Sequence, residues 1–114
     1  EQIKIGIVSG MFPPGERLPS VRDLATEAGV NPNTMQRAMT ELERDGLVYS
    51  QRTAGRFVTE DHAVIQAAKR DLAQRHIHAF LAAMLRLGYR REEIISLLEQ
   101  EHQEEGTNHG GSGV

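Results

Sequence analysis

The stretch from Gly10 to Val58 reads GMFPPGERLPSVRDLATEAGVNPNTMQRAMTELERDGLVYSQRTAGRFV. Its turn residues predict three helices in a fixed order. A first helix ends at Pro13–Gly15, and a second starts at Pro19-Ser20. The turn Gly29-Val30 then leads to Asn31-Pro32, which starts a third. Two short β-prone runs follow and flank a basic, glycine-containing tip. This order of elements predicts a winged helix-turn-helix, a fold that binds DNA.

Capping residues predict where the second and third helices begin and end. Ser20 is a typical N-cap, and Asp23 places a negative charge in the first helical turn. Gly29 is a typical C-terminal stop. Asn31 caps the third helix, with Pro32 at its first position, where the missing N–H costs nothing. The two helices and their short turn therefore have the layout of a helix-turn-helix.

The second half of the chain predicts two further helices. Residues 61–87 carry an apolar pattern that is unbroken by Gly or Pro, and Gly88 follows. A last helix opens near Arg90–Glu93 and runs into an acidic and then Gly/Ser-rich stretch. The predicted fold is mainly α with a small β wing. Its parts are an N-terminal winged helix-turn-helix over residues 1–59, a C-terminal two-helix dimerisation segment over 60–105 and a disordered tail over 106–114.

Composition excludes several classes of protein. The 114 residues include no Cys, which excludes disulfides, thiolate catalysis and cysteine-based metal sites. No apolar run approaches the roughly 18 residues of a membrane helix, and no secretory signal opens the chain, so we expect a cytoplasmic protein with no membrane partner. Residues 1–58 carry seven basic and seven acidic side chains, whereas residues 59–114 carry six and nine. A neutral first half predicts modest non-specific affinity for DNA.

A polar face near the start of the third helix is the predicted reading surface. Asn33 and Gln36 can bind adenine in bidentate fashion, and Arg37 can bind guanine. The helix N-terminus and the basic wing suit contacts with phosphate. The candidate DNA-binding residues are Arg17, Ser20, Arg22, Asn31, Asn33, Thr34, Gln36, Arg37, Arg52, Thr53 and Arg56.

Several of these residues also have a purely structural explanation. Polar side chains on an exposed helix face are commonly just solvated. Asn31 is better explained as a helix cap than as a base contact. Arg37 has an alternative partner in Glu41, one helical turn further on. Each residue by itself is therefore weak evidence for DNA binding, whereas the ordered set of residues is strong evidence.

Residues 1 to about 59 carry an ordered set of motifs: GMFPPGERLPSVRDLA from Gly10, GVNPNT from Gly29, Arg37-Ala38, Leu42-Glu43, GLV from Gly46 and Phe57-Val58. This set resembles that of the GntR family of bacterial transcription regulators. The resemblance implies a winged helix-turn-helix in a dimer that binds a palindromic operator. It also implies minor-groove contact for the wing tip. By matching positions it implies DNA contacts for Arg22, Asn33, Thr34 and Gln36.

The wing departs from the family pattern at one point. The usual wing carries Gly-x-Gly-Thr before Phe-Val, whereas this chain has Thr53-Ala54-Gly55-Arg56. The added arginine favours contact with the DNA backbone, whereas the missing glycine argues against the usual close approach of the tip.

The second half carries a helix pair marked by Leu87-Gly88-Tyr89 and Glu92-Glu93-Ile94-Ile95, and it resembles the small YtrA-type branch of the same family. About 55 residues are too few for the large ligand-binding or aminotransferase-like domains of other branches, and the resemblance implies that the two helices mainly build the dimer. Amphipathic helices on a small domain also leave an apolar stripe that a second copy would cover. The alternative is that the stripe packs back on its own domain. The candidate dimerisation residues are Ile65, Ala68, Leu72, Phe80, Met84, Leu87, Ile94, Ile95 and Leu98.

The histidines indicate neither a metal site nor an enzyme. His76 and His78 are two residues apart, so on a helix they point about 200° away from each other. His62, His102 and His109 lack a second ligand at a suitable spacing. No nucleophile-elbow, Walker A or zinc-protease pattern occurs. We therefore expect no metal, no cofactor and no enzymatic activity.

These observations predict a homodimeric, sequence-specific DNA-binding transcriptional regulator, and within that class a repressor. Its partner would be a double-stranded DNA operator. The rival interpretation is a dimeric protein-interaction adaptor whose winged helix no longer reads DNA, which the neutral first half supports. The intact arginines of the third helix and the wing argue against that rival. A small-molecule effector stays open as a further partner, because no residue pattern identifies one.

Overall fold

The computed structural model describes residues 1–108, with side chains described up to residue 102. Within this range five helices and two strands follow one another along the chain. They are α1 (Gln2–Ser9), α2 (Val21–Ala28), α3 (Pro32–Arg44), β1 (Val48–Gln51), β2 (Gly55–Val58), α4 (His62–Arg86) and α5 (Arg91–Asn108). The predicted class, mainly α with a small β wing, is confirmed.

Side-chain caps fix the ends of α2 and α3, which form the helix-turn-helix. Ser20 Oγ accepts a hydrogen bond from the backbone N–H of Asp23 at 3.1 Å, as its N-cap position predicts. Gly29 ends α2 with a φ of 69°, a left-handed conformation that favours glycine. Asn31 Oδ1 accepts from the backbone N–H of Asn33 at 2.7 Å and begins α3. The short turn between the two helices is thus bounded by a cap on each side.

Helix α1 ends earlier than expected. The segment Pro13–Gly15 was predicted to end the first helix, but Gly10 already caps it at Ser9 with a φ of 89°. The chain then folds back, and the backbone N–H of Phe12 donates to the carbonyl of Gly6 at 2.9 Å. A Cβ at Gly6 would lie 2.6 Å from Phe12 Cδ2. The turn therefore depends on a residue without a side chain inside α1.

One apolar core holds the winged helix-turn-helix together. Met39 and Val58, at its centre, have no exposed surface, and Ile7 and Leu47 are 1% exposed. Burial of this kind is the main stabilising contribution to a domain of this size. The buried cluster comprises Ile3, Ile7, Leu18, Leu24, Ala25, Met35, Met39, Leu42, Leu47, Val48, Val58 and Ile65.

The wing consists of β1, β2 and the tip between them, and its two faces differ. The antiparallel pairs are Val48 with Val58, Tyr49 with Phe57, Ser50 with Arg56, and Gln51 with Gly55. Successive side chains of a strand point to opposite faces. Val48 and Val58 therefore enter the core. The rings of Tyr49 and Phe57 stack on the opposite face, with centroids 5.7 Å apart.

A third extended segment joins the wing from the loop before α2. The backbone N–H of Leu18 donates to the carbonyl of Arg56 at 2.8 Å, and that of Val58 donates to Glu16 at 2.9 Å. Arg17 forms an antiparallel bridge with Phe57. Because two short strands alone are marginal in water, this extra pairing stabilises the wing on its β2 side.

The described chain divides into two compact units, one of residues 1–73 and one that begins at residue 74. The boundary lies within α4, later than the predicted boundary after residue 59, because Ile65 is part of the first unit's core and Ala68 packs against it. In the second unit, the backbone N–H of Arg90 donates to Glu93 Oε1 at 2.8 Å where α5 begins.

Of the nine predicted tail residues, 106–108 lie within α5, and 109–114 lie outside the described residues. No helix among residues 1–108 is both long and apolar enough to cross a membrane.

Two methionines provide a matched test of the core. Met39→Ala is expected to lower the free energy of unfolding by about 2–5 kcal/mol, because it removes a fully buried side chain and leaves a cavity. Met11→Ala, at a position 74% exposed, is the control and should change it by less than about 0.5 kcal/mol. Urea denaturation of both variants measures the difference, and equal losses would contradict the central place of Met39.

Candidate nucleic-acid interface

Helix α3 presents one buried face and one exposed polar face. Met35 and Met39 are buried, whereas the predicted contact residues Asn33, Thr34, Gln36 and Arg37 are all exposed. Residues three and four apart share a helix face. The structure therefore brings the four predicted base-contacting side chains together on the solvent side of one helix, near its N-terminus.

Hydrogen bonds order part of this exposed face. Thr40 Oγ1 donates to the backbone carbonyl of Gln36 at 3.0 Å, and Gln36 Nε2 makes a long contact of 3.5 Å with Thr40 Oγ1. Gln36 and Thr40 are four residues apart and extend the stripe that begins at Asn33. Among the residues that the structure describes, Arg37 forms no ion pair with Glu41, the alternative partner considered for it.

Asn31 has a structural role at the start of the helix. Its Oδ1 accepts from the backbone N–H of Asn33 at 2.7 Å. This is the cap that the sequence predicted, and it satisfies one of the N–H groups that every helix leaves without an intrahelical partner. Ser20 plays the same part at the start of α2, through its bond to Asp23. Both candidate contact residues therefore position the helices that carry the other candidates.

The remaining basic candidates lie around this face on neighbouring elements. Arg22 is exposed in the first turn of α2, and Arg52 and Thr53 are exposed at the wing tip. Arg17 lies beside the wing, where a Cβ at Gly55 would be 3.0 Å from Arg17 Nε. Gly55 also takes a φ of 103°, in the region that favours glycine. The arginine thus lies close against the wing strand at a position that has room for no side chain.

Arg56, one of the predicted DNA contacts, pairs with a carboxylate of its own chain. Its Nε lies 2.8 Å from Glu43 Oε1 of α3, and the two side chains are 27% and 33% exposed. The reason is the alternation of the strand, since Arg56 is two residues from buried Val58 and shares its inward face. Ser50, opposite Arg56 in register, also donates to Glu43, through Oγ to Oε2 at 3.1 Å.

These contacts change the electrostatics of Glu43. The hydrogen bond from Arg56 is the main cause that holds the pKa of Glu43 below its ordinary value of 4.5. Partial desolvation acts in the opposite direction, and the hydrogen bond from Ser50 adds to the lowering. Glu43 is therefore ionised at neutral pH and neutralised by a neighbouring cation rather than facing solvent as a lone charge.

This geometry, a capped helix with an exposed polar stripe beside a basic hairpin, is that of a DNA-binding winged helix. The family model of bacterial regulatory proteins of the gntR family matches residues 1–58, half of the chain. This chain belongs to the GntR family. It is a DNA-binding transcriptional regulator, and the family consists of regulators rather than enzymes.

Relatives and solved structures agree with this assignment. The chain is 37% identical over 95 residues to YhcF, a transcriptional regulator of Bacillus subtilis, which covers 83% of this chain and 78% of YhcF. It is 43% identical over 61 residues to the B. subtilis transcriptional repressor YtrA, over 54% of this chain and 47% of YtrA. A GntR-family transcriptional regulator from Listeria monocytogenes has a similar structure, with a TM-score of 0.78, 38% identity and coverage of 87% of each chain. The predicted family, with YtrA among its relatives, is confirmed.

The apolar residues predicted to build a dimer fall into two groups in this GntR regulator. Ile65 and Ala68 pack against the core of the winged unit, so this part of the stripe has a partner within its own chain, which was the alternative considered. Leu72 and Ile94 are also buried, at 5% and 2% exposure, and Met84 is half-buried. The exposed group consists of Phe80, Leu87, Ile95 and Leu98, which are 40%, 72%, 57% and 52% exposed.

The sequence interpretation missed Glu43 as a partner of the wing. A signal for it was present, because Arg56 and Val58 are two residues apart in a strand and must share a face. Since Val58 enters the core, Arg56 had to face the elements that cover that core. The identity of its partner on α3 follows only from the fold.

The ion pair of this GntR regulator makes a small, pH-dependent contribution to stability. Glu43→Gln is expected to lower the free energy of unfolding by about 0.5 kcal/mol at neutral pH, because partly exposed pairs are screened by solvent. Folding lowers the pKa of Glu43, so the contribution is complete above pH 4.5 and is lost as the pH falls through the lower folded pKa. Denaturation of both proteins from pH 7 to about pH 3 measures this difference.

The control for this experiment is Arg56→Gln. In that background the substitution Glu43→Gln should have a smaller pH-dependent effect, because the main cause of the lowered pKa of Glu43 is absent and only the hydrogen bond from Ser50 still lowers it. If the difference in stability between the wild type and Glu43→Gln grows as the pH falls, the assignment of the Arg56–Glu43 ion pair is contradicted.

Proposed function

We propose that this GntR-family regulator is a homodimeric repressor that reads a palindromic operator through α3. The observation that carries the proposal is the exposed stripe of Asn33, Gln36 and Arg37 on a helix whose opposite face is fixed in the core. The relative YtrA is a transcriptional repressor, which supports repression rather than activation.

The chemistry of each side chain gives its proposed role in DNA binding. Asn33 and Gln36 offer an amide that can pair with the N6 and N7 atoms of adenine, and Arg37 offers two donors for guanine. Thr34 suits either a phosphate or a thymine methyl group. Sequence-independent contacts with phosphate and sugar are assigned to Arg17, Ser20, Arg22, Arg52 and Thr53.

The proposal of a dimer rests on the second compact unit. Phe80, Leu87, Ile95 and Leu98 expose apolar surface there, whereas a small domain in water favours covering such surface. A second copy of the same chain supplies a matching surface through two-fold symmetry. Two recognition helices related by that symmetry would read two half-sites, which is why a palindromic operator is expected.

Selection from a randomised duplex pool at two salt concentrations tests the function directly. We expect a palindromic sequence to be enriched and two chains to bind each duplex. Retention that falls steeply with salt would reflect phosphate contacts. Binding without sequence preference would overturn base readout by α3, and loss of all DNA retention would favour the adaptor interpretation.

Mutations can separate base readout from backbone contact. Gln36→Ala or Asn33→Ala is expected to cost about 1–3 kcal/mol of binding free energy at one operator position and to relax the preference there. Arg17→Ala should weaken selected and scrambled duplexes alike, because phosphate contacts carry no sequence information. Titrating each variant against both duplexes measures this. Equal losses on both for Gln36→Ala would refute its role in readout.

A charged substitution tests the dimer surface. Leu98→Glu should raise the dimer dissociation constant at least about tenfold, because a carboxylate would replace apolar surface at the contact. Gln100→Glu introduces the same charge at an exposed polar position of α5 and serves as the control. Sedimentation of both variants measures the association. Unchanged association of Leu98→Glu would place the dimer contact elsewhere.

A further inference from the structure

Three elements of the winged unit meet at one carboxylate. Glu43 lies near the end of α3 and accepts hydrogen bonds from Ser50 of β1 and Arg56 of β2, at 3.1 Å and 2.8 Å. We call these three residues the Glu43 cluster. It links both strands of the wing to the helix that carries the proposed reading face.

The cluster lies close to the wing tip. Ser50 and Arg56 are directly paired, and the next pair, Gln51 with Gly55, is the last before the tip residues 52–54. The base of the wing is held by Val48 and Val58 in the core and by the pairing of β2 with the loop before α2, whereas the cluster lies nearer the tip. Contacts to α3 at this point are therefore placed where they can set the position of Arg52 and Thr53 relative to the recognition helix.

The charge of Glu43 is unfavourable for DNA binding by itself. A carboxylate on the helix proposed to enter the groove repels phosphate, and removing it should strengthen binding if charge alone mattered. Arg56 in turn directs its guanidinium to Glu43 and so offers less of its charge to DNA. The pair is an electrostatic cost to binding unless its geometry contributes something.

We propose that Glu43 is a positioning residue for DNA binding, which holds the wing at the angle that lets its tip reach the DNA backbone while α3 lies in the major groove. This inference rests on the proposed operator binding. Arg56 acts through Glu43, so the wing's backbone contacts are made by Arg52 and Thr53 at the tip. Arg17, which lies against Gly55, supports the same strand from the loop before α2.

The sign of one mutational effect distinguishes positioning from charge. Glu43→Gln removes a negative charge and also weakens the cluster. If Glu43 positions the wing, affinity for the selected operator should fall about threefold to tenfold. Glu41→Gln removes the same charge from the same helix at an exposed position outside the cluster, and it should bind as well as the wild type or better. Glu43→Gln binding as tightly as this control would overturn the proposal.

A cycle with Arg56 tests whether the two residues act as a unit. Arg56→Gln should weaken binding by a similar factor, and the double variant should be no weaker than either single one, because both remove the same contact. Additive losses would instead mean that Arg56 contacts DNA independently of Glu43, and would overturn the assignment.

Salt dependence separates positioning from a loss of stability. When wing contacts with phosphate are lost, the slope of log affinity against log salt falls by about one for each contact. We expect this smaller slope for Glu43→Gln, with Arg52→Gln as the variant that removes a tip contact directly. A reduced fraction of active protein with an unchanged slope would show a merely structural role and refute the proposal.

The same measurements keep this inference separate from the proposed function. If the wild-type protein selects no sequence, base readout by α3 fails. The ranking of Glu43→Gln below Glu41→Gln is still expected on an arbitrary duplex, because the tip contacts are to the backbone. If the wild type selects an operator and the two variants bind it equally, readout stands and the positioning role fails.

Discussion

The packing of α3 into the core is the constraint on which the interface depends. A helix turns by about 100° for each residue, so any rotation that exposed Met39 would also carry Asn33 and Gln36 away from solvent. Burial of Met35, Met39 and Leu42 therefore fixes the orientation of the polar stripe on the opposite face of the helix. The precision of the proposed reading face is a property of the apolar residues beneath it.

Local chemistry made the helix-turn-helix predictable. Ser20, Gly29 and Asn31 act through bonds and conformations that lie within three or four residues of each position, so a short stretch of sequence contains the whole cause. The contacts that escaped prediction join distant segments. Arg56 contacts Glu43, and Arg17 forms its antiparallel bridge with Phe57, only after the chain has folded back on itself. Strand alternation indicated the face of Arg56 but not its partner.

The apolar stripe of the second half shows a different limit of sequence interpretation. A regular helical pattern runs from Ile65 to Leu87, yet Ile65 is 5% exposed and Leu87 is 72% exposed. Hydrophobic periodicity reports that a face is to be buried, and it carries no information on what buries it. The part of the stripe that packs within the chain and the part that stays exposed therefore look alike in sequence and are distinguished only in the folded structure.

Gly55 restricts how the wing could be redesigned. Its φ of 103° and the closeness of Arg17 Nε both disfavour a side chain there, whereas Arg52 and Thr53 are exposed. A library of variants that changes residues 52–54 and keeps glycine at position 55 would test new contacts with the DNA backbone on the same hairpin. The tip of the wing thus tolerates variation next to a position that requires glycine.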